Sequence, residues 1–333
     1  MILKAFITAI DYYLPEIVVE NPIGRLRKKT GIESVHISPS EMTAGDMAVL
    51  AAEKLFASGV DRRSIDFILL CTQSPDYFLP TTACIIQDRL KLNKSCGALD
   101  FNLGCSGFIY GLGLAKGLIE TGQAEKILLI TSETYSKYIN PEDHSVKPLF
   151  GDGAAAILIS AKESGQEGIF GFVYGTDGSG AKNLIVPAGG SRKPFGKTPE
   201  EKFSDDFGNV KTNYNLNMNG AEIMNFALNR VPETLEKILS KASLNKQEID
   251  YYVFHQANKL ILDSLYQICK LEGRPYWIDL KSYGNTVSAS IPIALKDMMK
   301  ENKPENLKLV VIIGFGVGLS WGGCIVNLEK VSL

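Results

Sequence analysis

Apolar residues recur at helical spacing over 44–58 and again over 221–240, and each stretch leads to a short, continuously apolar run, 67–72 and 251–255. The first pattern predicts amphipathic helices and the second predicts strands buried on both faces. A further helix is predicted after each strand, over 82–90 and 259–270. Then come a strand, a tight turn and another helix, over 107–120 and 288–300. Each series closes on a hairpin-like pair of apolar strands, 126–131 with 154–160 and 308–314 with 322–328. Residues 1–10 are apolar, but Asp11 interrupts them and no basic segment precedes them, so a strand is predicted rather than a secretory leader. Residues 179–206 are rich in Gly, Pro, Lys and Asp without periodicity and predict a surface excursion. Apolar strands separated by helices imply sheets covered on both faces, hence a layered α/β fold.

The two series also share local sequence. Glu53-Lys54-Leu55 matches Glu236-Lys237-Ile238, and Ser64-Ile65-Asp66-Phe67 matches Glu248-Ile249-Asp250-Tyr251. Gly104-Cys105-Ser106 matches Gly284-Asn285-Thr286, and Lys126-Ile127-Leu128-Leu129-Ile130 matches Lys308-Leu309-Val310-Val311-Ile312. The four matches fall in order at offsets of 180–184 residues, which implies two similar halves, 1–165 and 166–333. The same offset sets His255 against Cys71 and Asn285 against Cys105. A pseudo-twofold packing of the halves would bring Cys105, His255 and Asn285 to one floor.

Composition narrows the class. A chain of 333 residues can bury one large core or two fused ones, and 45% hydrophobic with 22% charged residues is ordinary for a globular protein. A net charge of −2 points to neither a nucleic-acid partner nor a membrane surface. No apolar run approaches the ~18 residues of a spanning helix. The six cysteines form no CxxC pair, so free thiols in a reducing cytoplasm are expected, without disulfides or a metal site.

Candidate chemistry lies in three segments, each at the tip of an apolar run and followed by helix-like sequence. They are Gly104-Cys105-Ser106-Gly107, Phe254-His255-Gln256-Ala257-Asn258 and Tyr283-Gly284-Asn285-Thr286. Gly104 and Gly107 permit a sharp strand-to-helix turn that exposes a nucleophile, and a helix starting behind Cys105 would lower its thiol pKa. A cysteine takes acyl groups from thioesters readily, while an imidazole and a carboxamide can donate to developing oxyanions. A buried structural thiol, a satisfied core histidine and a simple Tyr-Gly-Asn turn are the plain alternatives. Gly314-Phe315-Gly316-Val317-Gly318 lacks the helix and acidic residue of a dinucleotide site. Amides of Cys105, Gly316 and Val317 are instead candidates for an oxyanion hole.

Together with Thr30-Gly31-Ile32, Phe150-Gly151-Asp152-Gly153-Ala154 and Trp321, these segments resemble the ketoacyl-acyl carrier protein synthase III branch of the thiolase superfamily. The resemblance spans nearly the whole chain. It implies the five-layered αβαβα thiolase-like fold with two pseudo-equivalent halves, a homodimer, and no cofactor beyond acyl-CoA or acyl-carrier-protein thioester substrates. By the same resemblance Cys105 accepts an acyl primer, and His255 and Asn285 stabilise the enolate left when a malonyl thioester loses CO2. Asn258 touches the pantetheine arm.

Some positions depart from that pattern. The tryptophan that commonly stacks on the adenine of coenzyme A is missing between Pro15 and Thr30. Glu33 and Leu260 stand where basic residues are usual, with Lys259 beside the latter. Leu79 replaces a bulky aromatic that often limits the primer pocket from across the dimer. A specialised condensing enzyme primed from an acyl carrier protein is therefore expected, with Arg25, Arg27, Lys28, Lys29 and Lys259 facing the carrier.

Four other readings compete with this one. A papain-like protease shares the Cys, His, Asn order, but no Cys-Gly-Ser-Cys-Trp context surrounds Cys105 and a duplicated α/β chain is the wrong scaffold for it. A degradative thiolase needs a second catalytic cysteine, for which only Cys324 is available, in strand-like sequence. An ester- or amide-forming acyltransferase on the same fold remains open. A non-catalytic carrier-binding partner predicts loss of Cys105, His255 or Asn285, and all three are present.

Overall fold

A computed structural model describes residues 2–332. The first half runs β1 (Ile2–Tyr13), β2 (Ile17–Glu20), α1 (Arg25–Thr30), β3 (Ser34–Ile37), α2 (Ala44–Ala57), β4 (Phe67–Cys71) and α3 (Thr82–Arg89). It continues with β5 (Gly97–Phe101), α4 (Gly107–Glu120), β6 (Lys126–Glu133) and β7 (Gly153–Ser164). The second half opens with β8 (Ile169–Thr176) and the short strands β9 (Leu184–Ile185), β10 (Lys202–Ser204), β11 (Val210–Thr212) and β12 (Asn217–Met218). There follow α5 (Gly220–Ala242), β13 (Tyr251–Phe254), α6 (Lys259–Ile268), α7 (Ser290–Glu301), β14 (Val310–Gly316) and β15 (Ser320–Val326).

Helix starts follow local chemistry. Thr43 and Asp46 form a capping box on α2, and Asn258 accepts the Ile261 amide at the start of α6. The repeated Ile-Asp has a physical reason. A carboxylate oxygen of Asp66 accepts the amides of Glu125 and Lys126, and Asp250 accepts those of Lys308 and Leu309. In each half the aspartate entering one strand fixes the start of its parallel neighbour.

Two sheets carry the fold, ordered β1-β7-β6-β4-β5 and β13-β14-β15-β8. Their registers correspond, since Phe67 lies opposite Ile127 and Tyr251 opposite Val310, both in parallel pairs. Where the first sheet adds β5, the second has only a parallel bridge between Tyr252 and Tyr276. The bridge is one residue long, with Tyr252 donating to Pro275 and accepting from Trp277.

Strand alternation sets the layers. Leu128 and Ile130 of β6 pack toward α2 and α3, while Ile127 and Leu129 face a central layer of α4 and α7. From the second sheet Val310 and Ile312 enter that same central layer, and Val311 and Ile313 face α5 and α6. The order is helices, sheet, helices, sheet, helices, the five-layered thiolase-like arrangement. The central helices α4 and α7 follow Cys105 and Asn285, so both turns open onto the middle of the molecule.

The excursion expected over 179–206 is largely exposed, but not wholly a surface feature. Leu184 is buried, and it lines the cavity described next together with Met218. The pairing of β9 with β12 holds both residues there, a contact that lies outside any local periodicity.

Candidate active site

Cys105 lies between the end of β5 and the start of α4, and is 5% exposed. The turn leaves no room for side chains on either side. A Cβ on Gly104 would fall 2.6 Å from Gln73 Oε1, and one on Gly107 would fall 2.2 Å from Cys71 Sγ. His255 follows β13 directly and is buried, its ring edge-on to Phe315 with centroids 5.4 Å apart. Its Nδ1 lies 2.7 Å from Ser290 Oγ, which leaves Nε2 for the cavity.

Asn285 is held through both its backbone and its side chain. Its amide donates to Leu149 and its carbonyl accepts from Gly151. Its Oδ1 accepts the Val287 amide at 2.9 Å, leaving the carboxamide nitrogen free. Val287 itself sits at φ 55, a left-handed conformation rare for a β-branched residue and worth roughly 1–3 kcal/mol of strain. Gly284 is also left-handed, and a Cβ there would meet Val35 Cγ1 at 2.7 Å and Leu149 O at 2.8 Å.

One cavity brings Cys105, His255 and Asn285 together with Phe150, Phe315 and Gly316, and continues past Ala257, Asn258 and Ile261. A Cβ on Gly316 would come within 2.8 Å of Cys105 Sγ. The backbone amides of Cys105 and Val317 lie near enough to that sulfur to favour its thiolate. The Asn258 carboxamide oxygen caps α6, so only its nitrogen is left for the cavity.

The other expected contacts lie elsewhere. Lys259 is exposed and paired with Asp263. Leu79 is 86% exposed and does not line the cavity of its own chain. Within the basic cluster on α1, Arg27 pairs with Glu33 at 2.9 Å, which leaves Arg25, Lys28 and Lys29 as the exposed cations.

Burial governs the electrostatics. The Cys105 thiol is pushed up to about 12 by desolvation and then by the charge of Glu133, although the two amides pull it back. The expected acidification by the helix behind it is therefore outweighed, and the resting group is a thiol. Desolvation drives His255 down to about 3, so its imidazole is neutral. Glu133, fully buried at the end of β6, is raised to about 8, again first by burial.

Three residues of this site were not legible in the sequence. Ser290 sits inside a stretch predicted as plain helix, and Glu133 lies just beyond a predicted strand. Nothing local marks Val287 as left-handed.

The chain matches the family model for 3-oxoacyl-[acyl-carrier-protein] synthase III over residues 99–178, and the model of that family's C-terminal part over residues 239–328. It is 37% identical to the beta-ketoacyl-[acyl-carrier-protein] synthase III of Natranaerobius thermophilus, over 94% of this chain and 93% of that protein. A crystal structure of a 3-oxoacyl-(acyl-carrier-protein) synthase III superposes with a TM-score of 0.94 at 46% identity, covering 97% of this chain and 99% of that one. The priming beta-ketosynthase of the R1128 polyketide pathway superposes with a TM-score of 0.85 at 26% identity, covering 98% and 97%. With its two sheets, its cysteine turn and its facing histidine and asparagine in place, the chain belongs to the 3-oxoacyl-[acyl-carrier-protein] synthase III family.

Proposed function

We propose that the chain is a condensing enzyme that loads an acyl group on Cys105 and extends it by decarboxylative Claisen condensation. The observation that carries this reading is one cavity shared by Cys105, His255 and Asn285, with the histidine Nε2 and the asparagine nitrogen left unengaged. In loading, the sulfur of Cys105 bonds to the acyl carbon as the bond from that carbon to the donor sulfur breaks. The thiol proton leaves with the donor thiol. In extension, a malonyl thioester loses CO2 and its remaining electron pair becomes an enolate. Nε2–H of His255 and the Asn285 nitrogen donate to the enolate oxygen. The enolate carbon attacks the acyl carbon, and the new oxyanion is held by the amides of Cys105 and Val317, with Gly316 leaving room for it. Collapse frees the Cys105 sulfur, which regains a proton, and releases a 3-oxoacyl thioester. No step needs a cofactor.

An acyl carrier protein is the donor this reading favours, supported by the exposed Arg25, Lys28 and Lys29. A specialised pathway fits the absent tryptophan and the loss of cations at Glu33 and Leu260. A homodimer fits the run of Tyr77, Phe78 and Leu79, which are 62%, 88% and 86% exposed and would be covered by a second copy.

The deciding experiment is intact-mass analysis after incubation with a panel of acyl-CoA and acyl-carrier-protein thioesters, followed by malonyl thioester. An acyl adduct on Cys105 that gains a two-carbon unit on release supports condensation. Transfer of the adduct to a hydroxyl or amine would make the chain an ester- or amide-forming acyltransferase.

A further inference from the structure

Glu133 is a fully buried carboxyl that the proposed reaction does not use. Its Oε2 accepts the Gln73 amide at 3.0 Å and the Ser74 hydroxyl at 3.4 Å, and its Oε1 accepts the Ser288 hydroxyl at 2.8 Å. Gln73 and Ser74 follow β4 in the first half, whereas Ser288 lies in the 3-10 turn Val287–Ala289 of the second. All three donors are neutral, an arrangement that tolerates a buried carboxyl poorly unless the contacts serve a purpose.

The position of Ser288 suggests that purpose. It directly follows Val287, which is left-handed and whose amide holds Asn285 Oδ1. A strained turn persists only when its surroundings over-determine it, and Glu133 supplies an anchor immediately after the strained residue. The same carboxyl is linked to the surroundings of the nucleophile through Gln73. Gln73, whose amide it holds, places Oε1 where a Gly104 side chain would stand, next to Cys105. The titratable groups facing Glu133 are Cys71, Cys105, Tyr135, Tyr138 and Asp152.

We propose that Glu133 is a positioning residue for this site. Through Ser288 it holds the turn that orients the Asn285 carboxamide, and once ionised its carboxylate opposes formation of the Cys105 thiolate. The first role rests on the condensing reading above. The second does not.

The test compares Glu133→Ala, Glu133→Gln and Ser288→Ala in the full chain. One readout sets acyl loading of Cys105 against CO2 release from a malonyl thioester by the loaded enzyme. The other is the pH profile of Cys105 alkylation by iodoacetamide. Glu133→Ala and Ser288→Ala should slow CO2 release by about tenfold or more and leave loading within about threefold, because one enolate donor is misaimed. Glu133→Gln keeps size and hydrogen bonding, so it should restore CO2 release toward wild type. It should also shift the alkylation profile to lower pH, because removing a negative charge favours the thiolate.

Unchanged CO2 release in both alanine variants would overturn the orienting role. So would parallel loss of loading and CO2 release with a lowered melting temperature, the mark of a merely structural group. An alkylation profile unmoved in Glu133→Gln would overturn the electrostatic role. If Glu133→Ala does not fold, Ser288→Ala and Glu133→Gln carry both readouts. Wild type that loads acyl groups but releases no CO2 would refute the condensing reading and with it the orienting role, while the alkylation profile still decides the electrostatic one.

Discussion

Ser290 Oγ stands 2.7 Å from Nδ1 of His255, and the same oxygen faces the Gln256 amide at 3.4 Å. An oxygen that accepts from Gln256 still has its own hydrogen to give Nδ1, and the proposed reaction requires that arrangement, with the ring proton on Nε2 toward the cavity. Ser290 opens α7, so the helix behind Asn285 also holds the histidine ring in place. Ser290→Ala should therefore slow malonyl decarboxylation by about tenfold while Cys105 still loads, since a hydrogen-bond partner worth roughly 1 kcal/mol or more is lost. Single-turnover assays of the two steps, with imidazole nitrogen shifts by NMR, check this. Equal loss in both steps would contradict it.

Cys105→Ala should abolish acyl loading and leave the melting temperature nearly unchanged, because only a thiol is removed from a side chain that lines a cavity. Intact mass is the readout. An adduct that persists on the alanine variant would place the nucleophile elsewhere.

Gly316→Ala is expected to block loading by about a hundredfold with the fold intact. The new methyl would lie 2.8 Å from Cys105 Sγ, inside the space a tetrahedral intermediate needs. Acyl-adduct formation on a minute-to-hour course measures this, and near wild-type loading would show that the sulfur moves aside.

The pH dependence of stability should carry two opposite contributions. Glu133, raised from 4.5 to about 8, binds a proton when folded that the unfolded chain has released. Its contribution is present below about pH 4.5 and is lost as pH rises through about 8. Urea midpoints of wild type should therefore fall relative to Glu133→Gln between those values. His255, lowered from 6.5 to about 3, contributes fully above pH 6.5 and less as pH falls toward 3. Its imidazole does not titrate near neutrality, so the rate of CO2 release should show no histidine step there. A clear step in that range would mean the ring is hydrated in the working enzyme.

Carrier-bound primer should load faster than the matching acyl-CoA, and salt should slow only the former. The exposed Arg25, Lys28 and Lys29 act at the surface, where screening sets in within roughly 10 Å at 0.1 M salt. Stopped-time loading at two ionic strengths decides between them. Equal rates, insensitive to salt, would reassign the donor.

The sequence alone determined the helices, the buried strands and their repetition, because hydrophobic period and local capping are written in neighbouring residues. Helix α4 begins at Gly107, where the pattern predicts it, and the repeated aspartates mark equivalent strand entries in both sheets. The cysteine, histidine and asparagine were legible for the same reason, each ending an apolar run. What tertiary structure alone decided is how those groups are aimed and how acidic they are. The hydrogen-bond partner of His255 Nδ1 is Ser290, 35 residues away, and the anchor beside Asn285 depends on Glu133, 155 residues from Ser288. Burial, a property of five packed layers rather than of any segment, reverses the expected acidity of Cys105. Orientation and desolvation arise from contacts between halves, and a linear pattern does not encode them.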